Sequence, residues 1–421
     1  MQSFILTAGL VALGLCSAAQ DKTFGPIRWT FTTEGRFFNT PAITGNTLLA
    51  GNSDHKLYAL DAGTGQLRWA FETGGGIATE PCVAGNVAVI GSYDGHYYAV
   101  DVRTGRERWR FKTGGERKLG GKGLWTMQPL TQYMEDPYDF FLSSPIANGR
   151  HVYFGSSDSC IYAVNIATGK LAWKFRTRGP VHGSVAFSDN TVIAGSWDTY
   201  LYALDAQTGK LKWKYKTGTD TVYHGVLEGI QSRPAIAQGK VYIGARDAKV
   251  HALNLQTGDT AWVYNGGVAW IPGDAAATAG HVYIGTSDSY LMLCLDARTG
   301  RELHQAKGGG YIFGGPAIKG NLLCYGDFTG RLQLLNRNTF QLTGRFDTKG
   351  RTSHAAALLD SAQAINFGHL AAGAPFEQYS TTISVMDKLY RLGPFTSTPI
   401  FHQNLVIAAS ANGLIYGIAL E

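Results

Sequence analysis

One phrase is written into this chain repeatedly, and it constrains the fold more than any other feature. "YALDAGTGQLRWAF" at 58–71 returns as "YAVDVRTGRERWRF" at 98–111, "YAVNIATGKLAWKF" at 162–175 and "YALDAQTGKLKWKY" at 202–215. It returns again as "HALNLQTGDTAWVY" at 251–264, without its tryptophan as "LCLDARTGRELHQA" at 293–306, and decayed as "LLNRNTFQLTGRF" at 334–346. Asp61 and Asp101, Asn165 and Asp205, and Asp296 and Asn336 each lie 40 residues apart. A period of that length means one supersecondary unit stacked on copies of itself, since one unit cannot bury its apolar face alone.

Residues 39–73 show what the unit contains. "TPAITG" is a short strand entered through proline, "NTLLAGNS" a second and apolar one, and "KLYALD" alternates with period two as a half-buried strand does. "GTGQ" turns the chain and "LRWAFET" alternates again. Four strands per unit, repeated radially, predict an all-β chain folded as a single β-propeller. The 54 glycines and 12 % aromatic residues suit many short strands joined by tight turns.

The phrase itself reads as structural. An Asp or Asn before the turn accepts hydrogen bonds from backbone N–H groups just ahead of it. Gly65, Gly105, Gly169, Gly209, Gly258 and Gly300 supply the positive φ of a tight turn. Trp69, Trp109, Trp173, Trp213 and Trp262 fall at one place on the fourth strand, where each ring can fill the gap between blades. Chemistry would not need the same residue six times around a ring. Cys82, Cys160, Cys294 and Cys324 lie in different repeats, with no C-x-x-C, and are expected as free thiols packed as small hydrophobes.

Prolines opening the first strands give a second ruler: Pro41, Pro81, Pro145, Pro234, Pro316 and Pro399, with Val185 and Ala276 in the same slot. Long intervals reveal insertions near 114–141 and 218–230. Between Pro316 and Pro399 a degenerate unit fits, with "SHAAALLD", "AQAINFG", "STTISVMD" and "KLYRLGPF" as strands; this favours nine blades slightly over eight with 347–395 as an insertion. "GPIRWTFTTEG" is a fourth strand without a preceding three, and "TSTPIFHQNLVIAASANGLIYGIALE" is three strands without a fourth. Together they complete one blade and close the ring.

Residues 1–19 have the apolar run of a signal peptide, leaving 20–421 as the propeller, and predict export to the periplasm. Cys16 stands where a lipoprotein cysteine would, but Leu15 before it is bulkier than that processing accepts, so no lipid anchor is expected. No later segment is long enough to span a membrane. The net charge of +6 is scattered through the turns, which argues for a solvated surface and against a nucleic-acid partner.

The pattern D-x-x-T-G-x-x-x-W, as in "DAGTGQLRW" and "DAQTGKLKW", resembles the tryptophan-docking motif of the pyrroloquinoline-quinone (PQQ) type propeller repeats. The resemblance covers nearly the whole chain after the leader. One branch, the quinoprotein alcohol dehydrogenases, implies PQQ and calcium in the mouth of the ring. The other, similar to BamB, implies a cofactor-free binding scaffold associated with outer-membrane assembly. The dehydrogenases are longer and many carry an adjacent cysteine pair, and neither that pair nor a C-x-x-C-H occurs here. The reading is therefore an exported scaffold without cofactor that recognises a protein, peptide or small molecule. The alternatives are a PQQ/calcium oxidoreductase acting on alcohols or sugars, with Glu80, Asp274 and Arg233 as its ligands, and a carbohydrate-processing enzyme using Glu80 or Asp274.

Loops leading from one blade's outer strand to the next blade's inner strand converge on one mouth, and there the repeats diverge. Those loops hold Glu80, Ser144, His182, Ser184, His224, Glu228, Gln231, Arg233, Trp270, Asp274, Tyr311, Arg351 and His354. Arg233 and Arg351 suit a carboxylate or phosphate, Glu80 and Asp274 suit calcium, and the histidines suit proton transfer or metal ligation. The insertion "ERKLGGKGLWTMQPLTQYMEDPYDFF", with Trp125, Tyr133 and Tyr138, reads as a lid or a partner-docking loop.

Overall fold

Every copy of the phrase closes a four-stranded antiparallel sheet. A computed structural model of the chain describes residues 22–219 and 228–421 and holds eight such sheets among them. The leader, Cys16 and His224 lie outside the described residues. The first blade is Ala42–Thr44, Thr47–Gly51, Lys56–Asp61 and Leu67–Glu72, and the others repeat that order. The last blade joins Ile400–His402, Leu405–Ser410 and Leu414–Leu420 to the N-terminal strand Phe24–Thr32. Phe24 pairs with Leu420 and Thr32 with Leu414, so the two ends of the propeller close one seam as expected.

The ring has eight blades, and the ninth unit fitted at 347–395 is helical. Its helices are α1 (Lys349–Leu358), α2 (Phe367–Ala371) and α3 (Tyr379–Arg391). Thr348 caps α1 by accepting the Arg351 N–H at 3.0 Å, and Asn366 caps α2 by accepting the His369 N–H at 3.1 Å. In α3 the buried Thr381, Val385, Met386 and Leu389 fall on a helical stripe, which strand pairing could not have buried. "KLYALD" also differs from the half-buried strand expected of it. Its four central residues are all buried, because blades pack against both of its faces. The proline slot of the sixth blade is Ala275 and not Ala276, since Ala276 pairs with Tyr283 as Ala235 pairs with Tyr242.

The motif works as a lock between blades. Asp61 Oδ1 accepts the N–H groups of Gly63 and Thr64 at 3.0 Å each, and Asp101, Asn165, Asp205, Asn254 and Asp296 do the same in their blades. The indole N–H of Trp69 then donates to the Val102 carbonyl of the next blade at 3.0 Å, and Trp173 to Ala206 at 3.0 Å. The turn glycine serves twice. Gly209 has φ 71°, and a Cβ there would lie 2.6 Å from the Trp173 ring. Where the phrase decays, the lock changes hands: His304 replaces the tryptophan and stacks at 5.5 Å on Phe340, which replaces the glycine at φ 58°. Cys82, Cys160, Cys294 and Cys324 are free, and burial pushes the Cys82 thiol up to about 11 and the Cys294 thiol to about 12.

Candidate functional site

Antiparallel order sends the connections between first and second strands, and between third and fourth, to one face of the ring. Those between second and third, and from blade to blade, emerge on the other. The Asp–Thr–Gly turns therefore occupy one face. The insertions at 116–141 and 347–395 share the opposite one, the mouth.

At the floor of the mouth, the residues just before each first strand form a belt around the axis. The Glu80 N–H donates to Ser144 Oγ at 2.9 Å and the Ser144 N–H to Ser184 Oγ at 3.3 Å. The Arg233 N–H donates to Asp274 Oδ1 at 2.7 Å and the Thr398 N–H to Thr40 Oγ1 at 3.0 Å. Across the axis the Arg233 guanidinium pairs with the Glu80 carboxylate. Solvent still reaches 32 % and 19 % of those side chains through the channel. Burial raises the Asp274 carboxyl against the opposing pull of Arg233. The gap enclosed here is about 30 Å³, room for a water or two. Glu80 and Asp274 line the same gap, which their spacing in the sequence could not show, and both are engaged by Arg233. Among the described residues no three His, Cys, Asp or Glu side chains are grouped to hold a metal ion.

Above the belt the axis is filled by rings. Phe140 of the insertion stacks on Phe38 at 5.0 Å and lies 6.1 Å from both Phe313 and Phe328. The helices close over this column, packing Leu370, Val385, Met386 and Leu389 into the same cluster. The 116–141 insertion meets α3 edge to edge. The Gln128 N–H donates to the Glu377 carbonyl at 2.5 Å and the Tyr379 hydroxyl to the Glu135 carbonyl at 2.8 Å. Beside the column is a cavity of about 420 Å³, within the usual size of ligand sites. Its walls include Trp125, Tyr138, Trp270, Tyr311, Phe367 and Phe376, with Asp288 among the lining residues.

Two buried polar clusters anchor the insertion to the blades. Arg246 donates to Asp136 at 2.8 Å and to Gln231 Oε1 at 2.9 Å, with its guanidinium 4.4 Å from the Trp197 ring and 4.3 Å from Trp270. Burial pushes the Asp136 carboxyl up, and the Arg246 charge opposes it. His182 lies 2.9 Å from Asp139 through Nδ1 and 2.7 Å from Ser157 Oγ through Nε2, both ion-pair side chains wholly buried. The Ser–His–Asp order looks like a nucleophilic triad, yet the Ser157 hydroxyl also reaches Glu116 Oε2 at 2.9 Å. Burial opposes the His182 charge, but the Asp139 charge and hydrogen bond, with Glu116, outweigh it and raise the imidazole above its ordinary value. Ser157 and His182 are both buried, and Glu116 takes the Ser157 backbone N–H at 3.0 Å as well as its hydroxyl, so the cluster acts as a tether between insertion and blades.

This tether makes stability depend on pH. A raised folded-state pKa stabilises fully below the unfolded value of about 6.5 and fades as pH rises through the folded value. The urea midpoint of the wild type relative to His182→Gln is therefore expected to fall as pH is raised from about 6 upward past that range. A difference that stays constant with pH would refute a charged His182.

The remaining sequence candidates scatter. Tyr311, Trp270, Tyr138 and Trp125 line the cavity, whereas Tyr133 is exposed on the insertion's outer side. Gln231 holds Arg246 and donates to the Tyr138 carbonyl at 3.2 Å. Arg351 is buried in the first turn of α1, where it donates to the Thr329 carbonyl at 3.1 Å and Gln363 Oε1 at 3.2 Å, so its guanidinium holds the fold together. His354 is exposed on α1 and is not among the cavity's lining residues. Sequence reading missed Glu116, Asp136, Asp139, Ser157, Trp197, Arg246 and Asp288. A signal existed for several of them. The second residue after the glycine ending each second strand reads Ser53, Tyr93, Ser157, Trp197, Arg246, Ser287 and Phe328, varied where the flanks repeat.

The family described as outer membrane protein assembly factor BamB matches residues 18–120 and 117–341. No curated protein matches the chain in sequence. Among solved structures, BamB from Moraxella catarrhalis superposes with TM-score 0.67 at 18 % identity, covering 95 % of this chain and 100 % of that one. A europium-containing methanol dehydrogenase gives 0.64 at 13 % identity, with 93 % of each chain covered. The quinohemoprotein alcohol dehydrogenase from Comamonas testosteroni gives 0.67 at 13 %, covering 94 % of this chain and 76 % of that one. Likeness at these identities establishes the fold, which an assembly factor and two dehydrogenases share.

Proposed function

The chain belongs to the PQQ-type repeat family described as outer membrane protein assembly factor BamB, and on that footing we propose that it is an exported binding scaffold. Its ligand, whether a peptide, a protein segment or a small molecule, enters the mouth between the two insertions. One observation carries this reading: two insertions more than 200 residues apart in the sequence converge with blade loops to build an aromatic cavity of about 420 Å³ above an axis that is already filled. We propose further that it works without quinone or calcium, because Glu80 and Asp274 are tied to Arg233 and the phenylalanine column fills the axis above them.

A thermal-unfolding screen of the full chain tests the proposal, with peptides, metabolites, and PQQ plus calcium as ligands. Ligands are expected to raise the midpoint of the wild type and not of Trp125→Ala/Phe376→Ser. Ligands acting equally on both proteins, or bound quinone absorbance with dye-linked alcohol oxidation, would overturn it. Export to the periplasm remains part of the proposal, supported by the family and by the leader-like residues 1–19; cell fractionation that finds the chain in the cytoplasm would refute it. Among the described residues no helix is long and apolar enough to cross a membrane.

A further inference from the structure

Six blades carry an aspartate three residues after the glycine that ends the second strand: Asp54, Asp94, Asp158, Asp198, Asp247 and Asp288. In five of them the carboxylate is engaged inside its own blade. It accepts the hydroxyl of Tyr58, Tyr98, Tyr162 or Tyr202 at 2.6–2.7 Å, or lies 3.0 Å from His251 Nε2, always four residues on. Asp94, Asp158, Asp198 and Asp247 also accept a backbone N–H from the incoming loop at 2.7–2.8 Å.

The sixth blade breaks this pattern. Gly285 pairs with Met292, whereas Gly155 pairs with Ile161, so the turn between them is one residue longer. The Thr286 hydroxyl accepts the Leu291 N–H at 2.8 Å and caps the strand in place of the aspartate. Met292 stands four residues after Asp288 and has no proton to donate. Asp288 is left exposed, with one hydrogen bond among the described residues, from the Ser287 hydroxyl at 2.9 Å, and no ion pair. It stands at the aromatic cavity. Burial, and next the Asp288 charge, push the neighbouring Tyr290 hydroxyl up to about 12.

The cavity selects for charge as well as shape. Ring faces carry negative potential, so an anion would meet both them and the carboxylate unfavourably, and a neutral ligand would gain no Coulomb attraction from Asp288. A bare metal ion would find one carboxylate where it wants six or more oxygens. A cation clothed in alkyl groups satisfies the rings by charge and by contact at once. Trp270 already takes one organic cation, the Arg246 guanidinium at 4.3 Å, whose charge Asp136 answers. Trp125 is held at the cavity with φ 52° and ψ 35°, a left-handed conformation that bulky residues adopt at a cost and that concentrates at ligand sites.

We propose that the cavity binds an alkylammonium group, with the faces of Trp125, Trp270, Tyr138 and Tyr311 around the cation and Asp288 as its counter-ion. This rests on the mouth being a binding site and adds the class of ligand. Choline and its uncharged carbon isostere, 3,3-dimethylbutan-1-ol, separate charge from shape. Calorimetric and tryptophan-fluorescence titration of the full chain are expected to show choline binding at least about tenfold tighter than the isostere, and about tenfold weaker in Asp288→Asn. Asp288 is exposed, and an unchanged unfolding midpoint confirms that the variant folds. Equal affinity for the isostere, unchanged binding in Asp288→Asn, or no choline binding up to about 10 mM would each overturn the assignment. The screen against Trp125→Ala/Phe376→Ser keeps the two readings apart, since a neutral ligand dependent on those residues leaves the mouth a site while removing the cation.

Discussion

Arg246→Ala is expected to lower unfolding free energy by about 3–5 kcal/mol, the cost of leaving a buried charge without its partner. The Arg246 and Asp136 side chains are 1 % and 0 % exposed, so water cannot replace the lost guanidinium. Asp136 would keep no ion pair, Gln231 would lose a donor, and Trp197 and Trp270 would flank an empty slot. Urea unfolding measures the loss, and hydrogen exchange in 116–141 should rise with it, because Asp136 is one of the insertion's anchors. Replacing both partners, Asp136→Leu with Arg246→Met, is expected to restore most of the stability, since apolar substitutes carry no desolvation cost. A single-variant loss below about 1 kcal/mol would mean that the pair does not hold the insertion down.

Trp173→Ala should cost a similar amount, about 3–5 kcal/mol, by a different route. The ring is 8 % exposed, packs beside Tyr153 at 5.8 Å and donates across the blade boundary to Ala206. Truncation removes the transfer energy of a large side chain and opens a void over Gly209, which the backbone turn cannot fill. Because the lock lies on the face away from the mouth, ligand affinities there should change little while the urea midpoint falls. A loss under about 1.5 kcal/mol, or a matching loss of mouth binding, would count against that separation of faces.

What could be read from sequence divides along the same line. The blades and their locks depend on residues close together in the chain, and the forty-residue copies display them in parallel: an aspartate, a glycine at +4, a tryptophan at +8. The seam joins distant strands and was legible because each end carries the missing part of one copy. The helices at 347–395 escaped because short apolar runs such as "AQAINFG" suit strand or helix equally. Two caps, Thr348 and Asn366, and the spacing of Val385 and Leu389 were the available signs. The mouth was legible only as a set of loops. Asp136 and Arg246 are 110 residues apart and Glu80 and Arg233 are 153, distances at which spacing carries no geometry. Asp288 was hidden differently, behind a repeat position whose other occupants are all structural; a single added residue in its turn distinguishes it.

The seam between Phe24–Thr32 and Leu414–Leu420 also sets an order in time. A ribosome or translocation channel delivers the strand "FGPIRWTFT" before the other propeller strands and its partner after them. Until residue 420 emerges, that strand has no neighbour to pair with, and the first and seventh blades each stand at the rim of an open arc. Anything that slows delivery of the strands from Ile400 to Leu420 lengthens the interval in which a bare edge is on offer to other chains.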